Sequence, residues 1–334
     1  MDHGFFRVIT STRFCELLRA FEPVGATVLP LEECLGRILA EDILSGEDIP
    51  ALDRSCMDGY ALRAADTFGA SEGNPAYVEL VRSAAIDEVV SRPLRSGECM
   101  CIATGGSLPP GADAVLMVEH TQMLGDSTVE IRKTVTPGEN IMLRGEDVGQ
   151  GQVALPAGRR LRPQDVGLMA AIGRLSANVY RRPRCGIIST GDELVSVEST
   201  PRPGQIRDVN SHTLACMARQ SGALASSLGL VPDRREALES ALVRSLAEND
   251  VVFISGGSSI GTRDLTIEVL ESLAYSEILA HGVSISPGKP TILARVGGKP
   301  VLGLPGQVTS AQIVMLVFGQ PLLEHPGGDA GAFD

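Results

Sequence analysis

Residues 251–266 read VVFISGGSSIGTRDLT. An apolar run, VVFIS, passes straight into Gly256-Gly257, leaves on Gly261-Thr262-Arg263-Asp264 and enters a segment of helical character. A short apolar run bounded by glycine suits a strand buried on both faces. Glycine lets a ligand approach backbone amides closely, and amides at a helix start favour an anion. The stretch therefore reads as a phosphate-type cradle, with Arg263 to meet a ligand charge and Asp264 to cap the helix or hold a divalent cation. A glycine pair is also an ordinary tight turn, and an aspartate before a helix an ordinary N-cap. Both readings stand for this stretch alone.

The surrounding sequence repeats the rhythm. Strands are predicted at 184–189, 224–230, 250–255, 277–285 and 299–304, and helices at 209–221, 233–247, 264–273 and 307–319. That alternation predicts a doubly wound α/β domain over residues 177–325, with helices on both faces of a mostly parallel sheet. Ligands of such sheets collect beyond the carboxyl ends of the strands. Three stretches should share that edge: TGDEL with Thr190, Gly191 and Glu193; GGSSIGTRD with Gly256, Gly257, Ser259 and Asp264; and PGQVTS with Pro305, Gly306 and Ser310. Together they point to a polyanionic ligand with a metal. Glu193 could equally serve a helix N-terminus, and no complete Walker or dinucleotide fingerprint is present.

Upstream the texture differs. Residues 11–45 read as helical, with Leu31, Cys34, Leu35, Ile38 and Leu39 expected on one helix face. Residues 46–140 form a β-rich domain, where short apolar runs alternate with Gly, Pro and Asp turns. Two loops stand out there: RSCMDGYALRAAD, holding Asp58, and ATGGSLPPGADAV, holding Thr104. Residues 141–176 contain two short β-like pieces and a helix with Pro163 near its first turn, and residues 326–334 a loose tail.

Composition narrows the function. The 334 residues are 43% hydrophobic and 21% charged, enough for a sizeable core. A net charge of −12 argues against nucleic acid as partner, since its phosphates demand a basic surface. The seven cysteines are scattered without a CxxC pair, which suits free thiols in a reducing compartment. Cys99 and Cys101 are expected on one face of a strand. No run approaches the ~18 apolar residues of a membrane span, and the N-terminus lacks a signal-peptide pattern. A cytoplasmic location, with no membrane partner, is expected.

Eight collinear stretches carry a resemblance: SCMDGYALR, IATGGSLPPGADAVLMVE, NIMLRGEDV, LRPQDVGLMAAIG, RRPRCGIISTGDELV, GQIRDVNS, ISGGSSIGTRD and SPGKPTIL with the following GLPG. They resemble the molybdopterin molybdenumtransferases, the MoeA-like molybdenum insertases that include the gephyrin E domain. The resemblance implies an α/β multidomain fold: an elongated linker domain (residues 1–45 with 141–176), the β-rich domain, and a doubly wound domain of molybdopterin-adenylyltransferase type. It implies Mg2+-dependent insertion of molybdate into adenylylated molybdopterin, with release of AMP. Asp58, Thr104, Asp147, Glu193 and Asp264 match catalytic positions, and Glu193 and Asp264 would hold magnesium. Thr190, Gly191, Gly256, Gly257, Ser259, Lys289, Pro305, Gly306 and Ser310 would bind the pterin-phosphate ligand or molybdate. A homodimer is implied, with Asp58 and Thr104 reaching toward the partner chain, and contact with a molybdopterin adenylyltransferase or molybdoenzymes is an expectation of the same kind. The chain departs from the family pattern at Ser286, where a lysine is usual, and at Gln307-Val308, where Asn-Pro is usual. It also stops near where a small C-terminal β domain normally begins. A non-catalytic paralogue that binds the pterin or scaffolds a partner is the alternative.

Overall fold

The computed structural model describes residues 8–257, 264–325, 327–329 and 331–333. Ser259 and Arg263, singled out above, lie outside these residues. The chain folds as two compact units, one of Asp42–Leu155 with Gly167–Arg174, the other of Met1–Glu41, Pro156–Val166 and Leu175–Asp334.

The first unit is built on a six-stranded sheet, ordered Ala114–Met117, Gly59–Leu62, Glu98–Ile102, Ala76–Ser83, Thr128–Ile131 and Thr121–Leu124. Its pairs are antiparallel except Ala76–Ser83 with Glu98–Ile102. Alternation sorts the side chains: Tyr60, Leu62, Cys99 and Leu116 enter one buried cluster, while Ala61, Ile102 and Val115 enter another. Cys101 packs with Cys99 on the same cluster, as their spacing predicts. Gly59 is required where the strands cross, because a Cβ there would lie 2.0 Å from the Leu116 carbonyl oxygen.

The second unit holds the doubly wound sheet. It contains helix α1 (Ser11–Arg19), strand β1 (Arg184–Thr190), helix α2 (Asn210–Gln220), strand β2 (Leu224–Val231) and helix α3 (Arg235–Glu248). Strand β3 (Val251–Ser255), helix α4 (Leu265–Ser272), strands β4 (Ser276–His281), β5 (Ile292–Val296) and β6 (Lys299–Leu304), and helix α5 (Val308–Val314) follow. The strand order is β2-β1-β3-β6-β5-β4. The pairs β2–β1, β1–β3 and β3–β6 are parallel, whereas β5 runs antiparallel to both neighbours.

The VVFIS run is buried along its whole length. Val251 and Phe253 face one cluster with α1, α2 and α5; Val252 and Ile254 face the other with α3 and α4. A strand with apolar residues at every position is the signature of a sheet covered on both sides. Completely burying each large apolar side chain contributes roughly 1.5–3 kcal/mol, so this strand anchors the unit.

Two expectations are corrected. Residues 31–45 do not continue as a helix: Ala26–Pro30 is a strand paired antiparallel with Ser176–Tyr180, and Leu31–Glu33 is a single 3-10 turn. Gly36 adopts φ +73°, a left-handed turn that interrupts the 3.6-residue pattern. Cys34, Ile38 and Leu39 are buried nonetheless, while Leu35 is 56% exposed. The strand predicted over 277–285 ends at His281, because Gly282 takes φ +104°. The chain then returns as β5, which the sequence reading omitted. Gly297-Gly298, both at positive φ, turn β5 into β6.

Candidate functional site

The loops that follow the four parallel strands meet at one cleft of about 970 Å³. Thr190 and Glu193 come from the end of β1, Asp233 and Arg235 follow β2, Gly256 and Gly257 follow β3, and Gly306 and Gln307 follow β6. Parallel strands place their carboxyl ends on one edge, so residues more than a hundred positions apart become neighbours.

The backbone at the centre admits only glycine. Gly256 sits at φ +100°, and a Cβ there would lie 2.0 Å from the Thr190 carbonyl oxygen. Gly257, at φ +70°, would place a Cβ 2.8 Å from the Thr266 hydroxyl. Gly306 in turn packs with its Cβ direction 3.5 Å from the Gly256 Cα. The bare turns are thus the condition for three strand ends to converge, in addition to leaving amides open to a ligand.

A buried polar network supports them from below. Asn210, the first residue of α2, is 7% exposed, and its Nδ2 donates to the Ser255 hydroxyl at 2.7 Å and to the Gly306 carbonyl at 2.9 Å. It therefore ties the end of β3 to the loop after β6. Asp208, also buried, accepts from the Ser189 hydroxyl at 3.2 Å and from the Ser211 amide at 3.0 Å. The Asp233 carboxylate accepts a short hydrogen bond from the Thr190 hydroxyl. These bonds join the strand ends through the Asn210 amide group and the Asp208 carboxylate, while the buried Asn210 Oδ1 has no hydrogen-bond partner among the described residues.

Of the ten residues named from sequence in the loops after β1, β3 and β6, five line the cleft: Thr190, Glu193, Gly256, Gly257 and Gly306. Gly191 and Pro305 are buried beside it in sequence, and Ser310 donates through its amide and its hydroxyl to Gln307 Oε1, both at 2.7 Å. Gln307 thereby caps α5. Asp264 is the N-cap of α4, its Oδ1 accepting from the Ile267 amide at 3.3 Å, and its Oδ2 lies 3.5 Å from His281 Nε2. Burial pushes its carboxyl above the usual range, against the backbone hydrogen bonds and His281, which favour the ionised form. Asp264 is not among the cleft-lining residues, and Lys289 is exposed outside that lining.

In the first unit, the structure joins two residues that the sequence reading placed on separate loops. Asp58 Oδ1 accepts from the Thr104 amide at 2.7 Å and from its hydroxyl at 2.9 Å. Those bonds hold the Asp58 carboxyl below the usual carboxylate range. Asp147 is exposed, its amide donating to the Ile49 carbonyl at 3.0 Å.

Sequence reasoning passed over Asp208, Asn210, Asp233, Arg235 and Glu268. The motif GQIRDVNS contained the first two, but a polar residue at a helix start reads as a cap until its long-range partners are known. Asp233 had no local signal at all.

Chemically, the cleft offers backbone amides, hydroxyls, two arginines and several carboxylates around an opening with apolar patches from Leu194, Ile206 and Val209. That suits a ligand with a flat ring and an anionic group.

The model of the "MoeA N-terminal region (domain I and II)" matches residues 10–173, and that of the "Probable molybdopterin binding domain" matches residues 186–325. A molybdopterin biosynthesis protein of Methanocaldococcus jannaschii is 38% identical, over 86% of this chain and 71% of its own length. The molybdopterin molybdenumtransferase of Bacillus subtilis is 34% identical, over 91% of this chain and 71% of its own. Among solved structures, the molybdopterin biosynthesis protein MoeA of Pyrococcus horikoshii aligns with 98% of this chain and 81% of its own. Its TM-score is 0.80 at 31% identity.

Proposed function

The chain belongs to the molybdopterin molybdenumtransferase family, and from that premise we propose that it inserts molybdate into adenylylated molybdopterin, releasing AMP. The observation that carries the reading is the convergence of Thr190, Gly256, Gly257 and Gly306 on one cleft at the carboxyl edge of the sheet. Open amides there receive the phosphate, and the apolar wall receives a ring. The Asn210 cross-link keeps the two glycine loops at fixed spacing, so the anhydride is held without reorganisation as it breaks.

The residues that would hold a divalent cation are Glu193 and Asp264. Their chemistry suits magnesium, which takes one or two carboxylates and completes its shell with phosphate oxygens and water; Glu193 lines the cleft, and Asp264 caps the helix after the Gly256-Gly257 turn. Asp264 fits for a second reason: its burial disfavours a bare carboxylate, and a cation beside it relieves that cost. Magnesium would supply neutralisation of phosphate charge at the leaving AMP.

Three further proposals accompany this reading. The three-part division into linker, β-rich and molybdopterin-binding domains refines the two units described above. The assembly is a homodimer. The place of action is the cytoplasm, where contact with a molybdopterin adenylyltransferase or with molybdoenzymes would deliver substrate or receive product.

The test is AMP release from adenylylated molybdopterin in the presence of molybdate. Release that depends on added Mg2+ and stops with EDTA is expected. Tight binding of the adenylylated pterin without AMP release would instead identify a binding module.

A further inference from the structure

We propose that Arg235 is the residue by which the cleft selects a phosphate-bearing ligand over an uncharged one. This rests on reading the cleft as a nucleotide-phosphate site. The argument starts from a charge imbalance. The chain carries a net charge of −12, and four carboxylates, Glu193, Asp208, Asp233 and Glu268, line the cleft. Two of these are turned to structural work, Asp208 toward Ser189 and Ser211, Asp233 toward Thr190. A phosphate entering such a site needs a cation near it as well as glycine amides.

Among the described residues, only Arg207 and Arg235 supply positive charge to the cleft lining. Lys289 is exposed outside the lining, and Ser286 occupies the position where the family pattern has a second lysine. Arg207 has its Nε committed to the Ser199 carbonyl at 3.1 Å. Arg235 is exposed, and among the described residues its guanidinium makes no hydrogen bond or ion pair.

Its position is also costly for the fold. Arg235 opens α3, a helix of 14 residues, directly after Arg234, an N-cap whose side chain makes no capping bond. The field of a helix N-terminus disfavours cations in the first turn, and Ser, Thr, Asn or Asp are preferred at the cap. A guanidinium placed against local stability, uncommitted and on the rim of an acidic cleft, is explained by a ligand that needs it. A guanidinium also offers paired donors to phosphate oxygens.

The experiment is calorimetric titration of the full chain with AMP and with adenosine, comparing the parent with Arg235→Gln and Arg235→Lys. The parent should bind AMP more tightly than adenosine. Arg235→Gln should weaken AMP by roughly 10-fold, the scale of one charge-assisted hydrogen bond in a partly solvated site. Adenosine should be unaffected, and Arg235→Lys should recover part of the loss. The Gln variant should melt at the parent temperature or above it, since the helix start loses an unfavourable charge. If AMP affinity is unchanged in Arg235→Gln, or falls equally with adenosine, the proposal is overturned while the cleft reading survives. If the parent shows no preference for AMP over adenosine, the phosphate reading of the cleft fails, and this inference with it.

Discussion

Asp264 shows how much one residue's role depends on atoms that sequence cannot place. From sequence it reads more often as an N-cap, with a cation ligand as the alternative. The structure has Oδ1 on the Ile267 amide and Oδ2 near His281, so the cap is real and the second oxygen faces an imidazole. Asn keeps the capping acceptor and removes the charge; Ala removes both. Asp264→Asn should therefore leave the melting temperature unchanged or slightly higher, given that burial already disfavours the charge. Asp264→Ala should cost about 1 kcal/mol, the loss of one cap. If the carboxylate supports AMP release, Asp264→Asn should lower the rate by on the order of 10²–10³-fold. A folded Asn variant with full activity would place the cation elsewhere. Asn210 makes the complementary point: its composition-level signal was nil, and its importance comes from two partners 45 and 96 positions away.

At the scale of an element, the helix Pro163–Ala171 illustrates a local motif that the site does not use. Its acidic residue Asp165 is buried, with the side chain 5% exposed, and accepts from Arg159 at 2.8 Å and from the Arg162 amide at 2.9 Å. Burial alone would raise the carboxyl; the hydrogen bonds from Arg159 and Arg162 outweigh it and hold the group well below the carboxylate range. A depressed folded pKa means that the group stabilises the fold above its unfolded value of about 3.9 and progressively less as pH falls below it. Asp165→Asn should cost about 2 kcal/mol at pH 7, less than for a completely buried pair because both arginines are partly exposed. Thermal melts should show the gap between parent and variant narrowing below pH 4. A gap that stays constant would mean that packing, not charge, makes the contribution. This element was legible in LRPQDVG as a helix start, though not its ion pairs.

For the whole molecule, the proposed homodimer is testable at an exposed apolar patch. Val28 is 64% exposed, Leu35 56% and Leu175 82%, all in the second unit, and Leu31 donates its amide to the Leu175 carbonyl at 2.9 Å. Among the described residues, the strand Ala26–Pro30 pairs only with Ser176–Tyr180, in a two-stranded sheet. Such a pair gains from apolar cover that water does not provide. Light scattering at micromolar concentration should give twice the chain mass, and Leu175→Glu should shift the population toward monomer. A monomeric parent, or a variant that dimerises as before, would remove this surface from consideration.

What the residues determined by themselves is the local grammar. Uninterrupted apolar runs specify strands covered on both faces, glycine pairs mark where the chain must turn without side chains, and helical periodicity fills the intervals. These signals act over a few residues, and they located five of the six strands of the doubly wound sheet, one of them with its end misplaced, and Thr190, Glu193, Gly256, Gly257 and Gly306 on the cleft. Periodicity failed at residues 31–45, because a turn, two bridges and a short strand bury Cys34, Ile38 and Leu39 as a helix would, while leaving Leu35 exposed. Only the tertiary structure could decide the hydrogen bonds that tie Asn210 to Ser255 and Gly306, the pairing of Asp58 with Thr104, and the arrival of Asp233 and Arg235 at the cleft. The physical reason is range. A hydrogen bond or a cleft wall depends on which strands lie side by side, and strand order is set by the burial of two apolar faces over the whole sheet.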